Sequence, residues 1–285
     1  MLKNLHPTDL AQGTIISCCI GSEYQHCPVF GLVITARCDA AHSKVPIYNY
    51  LPLVGLRDWL QKHGADIVAE RVVANCRGTM EQCLSQKQMA LDLLDLIETE
   101  KIALELAKDK SKNGAKVAER FRQAAKDKET AHTIFGKSTP KERGLLLSSN
   151  QKMTEAVLKE LIRNQISDFH YIPKISTNEE PSGYVVNLRE VRHISANVAE
   201  LVLDGLDPEE YLSESDLSNT IRTELNFNHI DHTYALPISQ IGSPQIELIL
   251  QRFSNLFARI GVDDLTVDEI EHSSNTLNQI LESAE

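Results

Sequence analysis

The sequence predicts an α+β protein in three parts. A small N-terminal β-barrel or strongly bent sheet covers 1–78, a helical arm covers 79–165, and a small C-terminal α/β part of mixed strands and helices covers 166–285, packing on the first two. Three observations carry this prediction. Strand-like apolar runs fill 13–54, helical periodicity dominates 79–163, and β signals return at 169–188 ahead of a well-capped helix over 243–261. No repeat or low-complexity linker separates the parts, which places the boundary between sheet and arm near residue 78.

The first elements are β in character. Thr14–Ile20 is β-branched and half-buried in pattern, and Gly21-Ser22 turns the chain. Val29–Thr35 is almost wholly apolar, as a central strand should be. Ile47–Leu51 alternates, and Pro52 is expected to limit further pairing. Leu56–His63 predicts a short helix with Trp59 inward and Gly64 as its stop. Val68–Val73 reads as a strand from its β-branched content.

The arm begins with the longest helical signal, Thr79–Lys110, where Met89, Leu93, Leu96, Ile97 and Leu104 form one apolar stripe. Gly114 reads as a break. Ala115–Ile134 follows with Val117, Phe121, Ala124 and Ala125 inward, and Gly136 ends it. Thr139-Pro140 is an N-cap with proline at the first helical position, and Asn150–Arg163 gives another helix. An arm of this kind predicts a scaffold or oligomer contact.

In the last part, Phe169–Ile172 and Gly183–Leu188 read as strands around a turn at Asn178–Ser182, and Asn197–Leu203 and Pro208–Leu212 as short helices. Ser243-Pro244 starts a helix whose stripe is Ile246, Ile249, Leu250, Phe253, Phe257 and Ile260, closed by Gly261. Arg252 and Arg259 lie seven apart on a face outside that stripe. Thr266 with Glu269 predicts a capping box for a final helix.

Composition narrows the function classes. No run of about 18 apolar residues is present, so no membrane span is expected. The first residues lack the apolar core of a signal peptide, which predicts a cytoplasmic protein whose six cysteines are reduced thiols. The net charge of −11 is uneven. Residues 101–143 hold twelve Lys/Arg against six Asp/Glu, whereas 200–285 hold three against seventeen. The basic stretch Lys101–Arg143 offers a nucleic-acid surface, although the whole molecule repels phosphate.

The densest group of reactive side chains is Thr35, Arg37, Cys38, Asp39, His42 and Lys44, in the loop between two apolar strands. A thiolate at Cys38 needs a nearby cation or base, and Arg37, His42 and Lys44 are close in sequence. An Asp39/Lys44 pair could instead hold a phosphate-bearing ligand. The bland alternative is a buried small Cys38 with Asp39 capping the loop backbone. His26-Cys27 with Cys38 and His42 could supply four metal ligands, but the spacing is irregular and no metal is expected. His170-Tyr171, His193 and His229–His232 read as polar loops. The Gly-x-x-x-x-Gly-Lys, Gly-x-Gly-x-x-Gly and Gly-x-Ser-x-Gly signatures are absent, so no cofactor is implied.

Two stretches carry a resemblance. Gly31–Asp39 followed by Lys44 and Leu51–Val54, together with Tyr184–Arg189, Ile241–Pro244, Gln251–Phe253 and Arg259–Val262, resembles a group of uncharacterised prokaryotic proteins. In these an apolar strand ends in Thr/Ser-x-x-Cys-Asp. The opening Gly13-Thr14-Ile15-Ile16 is similar to the SH3-like barrel of MazF/PemK-type toxins, which are ribonucleases opening with Gly-Asp-Ile/Val. Thr14 stands where they carry Asp, so this resemblance implies the barrel rather than the activity. The first resemblance implies shared architecture more than activity; the leading expectation is a non-enzymatic component of a bacterial or phage multi-protein system, with the class of system, such as phage defence, implied by that resemblance. It would bind a protein partner, or a second copy of itself, through Thr35, Arg37, Cys38, Asp39, His42, Lys44, Arg252 and Arg259. The alternatives are a nuclease or other hydrolase centred on Cys38, Asp39 and Lys44, and a nucleic-acid-binding subunit using the basic arm.

Overall fold

The computed structural model describes residues 2–3, 10–37, 45–109, 111–135, 138–176, 182–211, 218–227 and 234–257. It is a mixed α+β fold built on one curled antiparallel sheet, a half-barrel. The strands are β1 (Leu2–Lys3), β2 (Thr14–Ile16), β3 (Val29–Val33), β4 (Ile47–Gly55), β5 (Phe169–Ile172), β6 (Tyr184–Asn187), β7 (Arg192–Ser195) and β8 (Pro237–Ile241). Their order is β1-β8-β2-β3-β4-β6-β5, with β7 also on β4. The apolar run at Val29 is thus an interior strand, as its composition predicts.

Both faces of the sheet are buried, which is why its strands read as apolar runs. Ile16, Tyr50, Val54 and Val185 point to one side, and Ile15, Leu51, Leu53 and Val186 to the other. The second side is covered by a helix at Gln245–Phe257 through Ile246 and Ile249. β4 runs on through Pro52 to Gly55, where the sequence predicts a stop. Pro52 sits opposite Gly31, and on its other edge β4 changes partner from β7 (Ile47–Tyr50) to β6 (Leu53–Gly55). A residue in that gap can lack an N–H without breaking a ladder on that side.

The helices are α1 (Leu56–Trp59), α2 (Ala65–Gln86), α3 (Leu93–Leu96), α4 (Thr99–Leu106), α5 (Lys112–His132), α6 (Pro140–Ser149), α7 (Gln151–Ile162), α8 (Ala196–Asp204), α9 (Pro208–Tyr211), α10 (Ser218–Glu224) and α11 (Gln245–Phe257). A π-turn, Leu60–Gly64, joins α1 to α2. Two expectations fail here. Gly64 does not stop the helix: its φ of −61° is helical, and its bare Cα lets Trp59 and Leu60 pack closely, since a Cβ would lie 2.8 Å from Leu60 Cδ1. Val68–Val73 is helix rather than strand, because Val68, Ala69 and Val72 lie on one face against the sheet core, and packing overrides β-branched propensity.

Residue 78, the expected boundary, lies inside α2. The N-terminal half of α2 belongs to the sheet core, and Met80, Cys83 and Leu84 belong to a second core with Ile102 and Leu106 of α4 and Phe121 of α5. The expected continuous helix over Thr79–Lys110 is interrupted. Gln88 takes a left-handed φ of 55°, and only short helices follow. Its stripe fails too, for Leu96 is 79% and Leu104 56% exposed, while Ile102, Ala103 and Leu106 face inward. Gly114 is not a break but lies in the first turn of α5, beyond the Ser111 N-cap, where a Cβ would run into Asp109. The inward set Val117, Phe121 and Ala124 is as read, and Thr139 with Glu142 makes a full capping box at α6.

Candidate functional site

Of the loop residues singled out in the sequence, Thr35 and Arg37 are described. Thr35 is buried, and its Oγ1 accepts the Asn49 N–H at 2.8 Å, fixing the ends of β3 and β4. Arg37 is exposed and pairs with Glu247 in the first turn of α11 at 3.3 Å. Cys38, Asp39, His42, Lys44 and Arg259 lie outside the described residues, as do Gly136, Asn178–Pro181, Leu212, His229–His232, Ile260, Gly261 and the Thr266/Glu269 box. Arg252 is half-buried in the protein rather than displayed. Its guanidinium donates to the carbonyls of Asn164, Ile166 and Phe169, the last two at 2.8 Å, and clamps α11 to the segment that links α7 to β5.

Two of the histidines expected in loops, His170 and His193, are strand residues. His170 is buried in β5 and His193 is in β7. Burial, then the Arg252 charge, lowers the His170 pKa to about 4, so its ring is neutral near pH 7.

The described cysteines are structural. Cys18, at a φ of 57°, donates to the Tyr234 carbonyl, and Ser17 beside it donates to the same carbonyl at 2.9 Å. Burial raises Cys18 to about 12 and Cys27 to about 11, and it raises Cys19, Cys76 and Cys83 as well. These thiols stay protonated, the opposite of an activated nucleophile.

A polar cleft of about 500 Å³ lies between the β2–β3 connection and the π-turn, lined by Tyr24, Cys27, Asp58, Lys62 and Arg143 among others. His63 lies beneath it and shares a 2.6 Å hydrogen bond with the Tyr24 hydroxyl; burial lowers its pKa. Lys62 pairs with Glu23 at 3.0 Å. Arg143 is the pivot. It is 7% exposed and donates to the carbonyls of Gln61, Lys62 and Ile134 and to Ser138 Oγ, with Asp66 at 3.0 Å. Glu23 with Lys62 and Arg143 with Asp66 are paired within the protein, and the Cys27 thiol, hydrogen-bonded to Asp58 at the cleft, is raised to about 11, chiefly by burial. No group of three or more His, Cys, Asp or Glu among the described residues is placed to hold a metal ion.

The basic stretch is also partly internalised. Arg143 is buried, Lys101 and Lys108 pair with Glu98 and Glu105, and Arg120 donates to Gln82. Cations still exposed on α5 include Lys112, Lys116 and Lys126.

Among the described residues, exposed large apolar side chains also include Phe135, Leu145, Leu248 and Phe257, and one run of them lies at the tip of the arm. Leu91, Leu96, Ile97 and Leu104 are all exposed along α3, α4 and the chain beside them. The hairpin that carries them is pinned. Arg77 of α2 holds Asp95 through two bonds of 2.9 and 3.1 Å and reaches Glu81 at 3.1 Å. Lys87 pairs with Asp109, and this cation, with the Ser111 N–H, holds the Asp109 carboxyl down at about 2. Residues 89–106 carry five acidic side chains and one lysine, so the exposed aliphatic groups have an acidic surround. The sequence pattern puts Leu96, Ile97 and Leu104 on one apolar stripe, and their exposure is the misfit that locates the surface.

Comparison with protein-family models, with curated proteins and with solved structures finds no match to this chain. Among the described residues, no helix is long and apolar enough to cross a membrane.

Proposed function

We propose that the protein is a non-enzymatic, cytoplasmic component of a bacterial or phage multi-protein system, with phage defence the class implied by the resemblance above. It acts by holding a protein partner at the tip of its arm. The observation that carries this reading is the set of four large aliphatic side chains left in water on a pinned hairpin. An apolar group of this kind, rimmed by charge, marks a contact surface. Asp92, Glu98, Glu100 and Glu105 around it select a partner whose apolar face is bordered by Lys or Arg. In this reading the sheet part is an SH3-like barrel that anchors the arm, and the loop beginning at Arg37 is a second contact.

The test is copurification from the encoding cells with the wild type and with Leu96→Asp/Leu104→Asp, quantified by mass spectrometry. Both positions are exposed, so the fold should tolerate the change. A stoichiometric protein partner that the double variant loses is the expected result. A partner held equally by both, or a wild type that brings down no partner, overturns the proposal. Self-association lost in the variant would make the partner a second copy.

A further inference from the structure

The arm tip carries two flanks of opposite charge beside its exposed aliphatic groups. On α3 and α4, Asp95, Glu98 and Glu105 are held by Arg77, Lys101 and Lys108. Asp92 and Glu100 are exposed and make no ion pair among the described residues. The chain then changes sign, for residues 107–118 hold four lysines against one aspartate. Lys112 and Lys116 lie four apart in the first turns of α5 and share a face. Both are exposed, and neither makes an ion pair among the described residues. α5 turns Val117, Ala118 and Phe121 inward against Ile102, Ala103 and Leu106 of α4. Lys87 with Asp109 pins the link between the two helices. The acidic and basic flanks are thus fixed on neighbouring helices of one small core, which also carries the exposed Leu104.

Resting on the reading of the arm tip as a contact surface, we propose that its occupant is a second copy of this chain. A contact built on a two-fold axis uses the same patch twice, so the patch must complement itself. An apolar group with one negative and one positive flank meets that condition. In the antiparallel arrangement Asp92 and Glu100 of each copy meet Lys112 and Lys116 of the other, and Leu96, Ile97 and Leu104 close against their counterparts. A parallel arrangement sets like charges face to face and is disfavoured. Removing the aliphatic groups from water supplies the affinity, and the charges supply the register. The lysine border that the acidic surround selects is therefore present on the chain's own α5.

The experiment is sedimentation equilibrium of the purified full chain. The wild type should form a dimer at or below about 100 μM. Lys112→Glu/Lys116→Glu and Asp92→Lys/Glu100→Lys each set like charges face to face, and each should weaken the dimer about tenfold or more. An equimolar mixture of the two variants regains both charge contacts in a mixed dimer and should associate within about threefold of the wild type. Misfolding cannot produce that recovery. Leu96→Asp/Leu104→Asp should also lose the dimer, and it decides where a charge reversal impairs folding. A wild type that stays monomeric at about 100 μM overturns the proposal. So do charge variants that dimerise like the wild type, or a mixture that does not recover. Failure of the contact surface itself reads differently. A monomeric chain whose copurifying protein is lost with Leu96→Asp/Leu104→Asp keeps the surface and assigns it to another protein, which overturns the second copy alone. A dimer that Leu96→Asp/Leu104→Asp leaves intact forms elsewhere and overturns the second copy at the tip.

Discussion

Arg143→Met tests how the arm is tied to the sheet part. The native guanidinium donates to Ser138 Oγ at 2.8 Å, to the Lys62 carbonyl at 2.8 Å, to that of Ile134 at 3.2 Å and to that of Gln61 at 3.3 Å. It also neutralises Asp66 at 3.0 Å. Two of these acceptors belong to the π-turn, and Ile134 belongs to the turn after α5, so one side chain ties the two ends of the sheet–arm junction together. Methionine matches the stem and removes every donor. Removing one partner of a buried ion pair costs about 3–5 kcal/mol, and orphaned carbonyls cost about 1–3 kcal/mol each. These losses overlap, because water can enter from the adjoining cleft, so the expected total is about 4 kcal/mol. Arg143→Lys keeps the charge beside Asp66, but a single ammonium cannot span acceptors on both sides of the junction. Its expected cost is about 2 kcal/mol. The assay is urea unfolding followed by far-UV circular dichroism and by fluorescence of Trp59, the sole tryptophan, which lies in the same core. A methionine variant within about 0.5 kcal/mol of the wild type would refute the reasoning, and so would a lysine variant as damaged as the methionine one.

Further outcomes follow from other sites. Gly31→Ala puts a Cβ 2.5 Å from Cys19 Sγ and 2.9 Å from Tyr50 Cδ2, and overpacking there should cost about 1–3 kcal/mol; an unchanged urea midpoint would show that the strands can yield. His170 titrates at about 4 in the fold against an ordinary value of 6.5. Above pH 6.5 both states are neutral and the ring contributes nothing. Between 6.5 and 4 the unfolded chain takes up the proton first, so stability falls with pH, levelling below 4 at a loss of about 3 kcal/mol. The difference in stability between wild type and His170→Gln, measured from pH 7 to 4, should show this slope, and a flat difference would contradict it. The buried thiols Cys18 and Cys19 should resist iodoacetamide at pH 8 in the folded protein and react on denaturation, as read by mass spectrometry of the modified peptides; rapid labelling of the native chain would contradict their assignment.

Local chemistry was legible in the sequence, and long-range pairing was not. The Thr139/Glu142 capping box and the inward set Val117, Phe121 and Ala124 depend on neighbours within a turn or two, and the structure has them as read. β8 was missed because its partners, Leu2–Lys3 and Thr14–Ile16, lie more than 200 residues away. α2 was misread because Gly64 and the β-branched Val68, Val72 and Val73 carry strand and stop signals, which packing against Trp59 and the sheet core overrides. Arg143 and Arg252 look like surface cations in a helical pattern, and only the fold places backbone carbonyls around them. His170 gave no local sign of its burial. At the arm tip, the leucine stripe was visible but assigned to the core; the left-handed Gln88 and the short α3 break its helix and turn Leu96 and Leu104 outward.

Hydrogen exchange tests most directly whether the arm tip is the contact surface. Amide exchange would be compared between the isolated chain and the chain in the complex recovered from the encoding cells. Slowed exchange should centre on residues 89–108, which include the exposed Leu91, Leu96, Ile97 and Leu104. Slowing confined to other segments, with 89–108 exchanging as in the isolated chain, would contradict it.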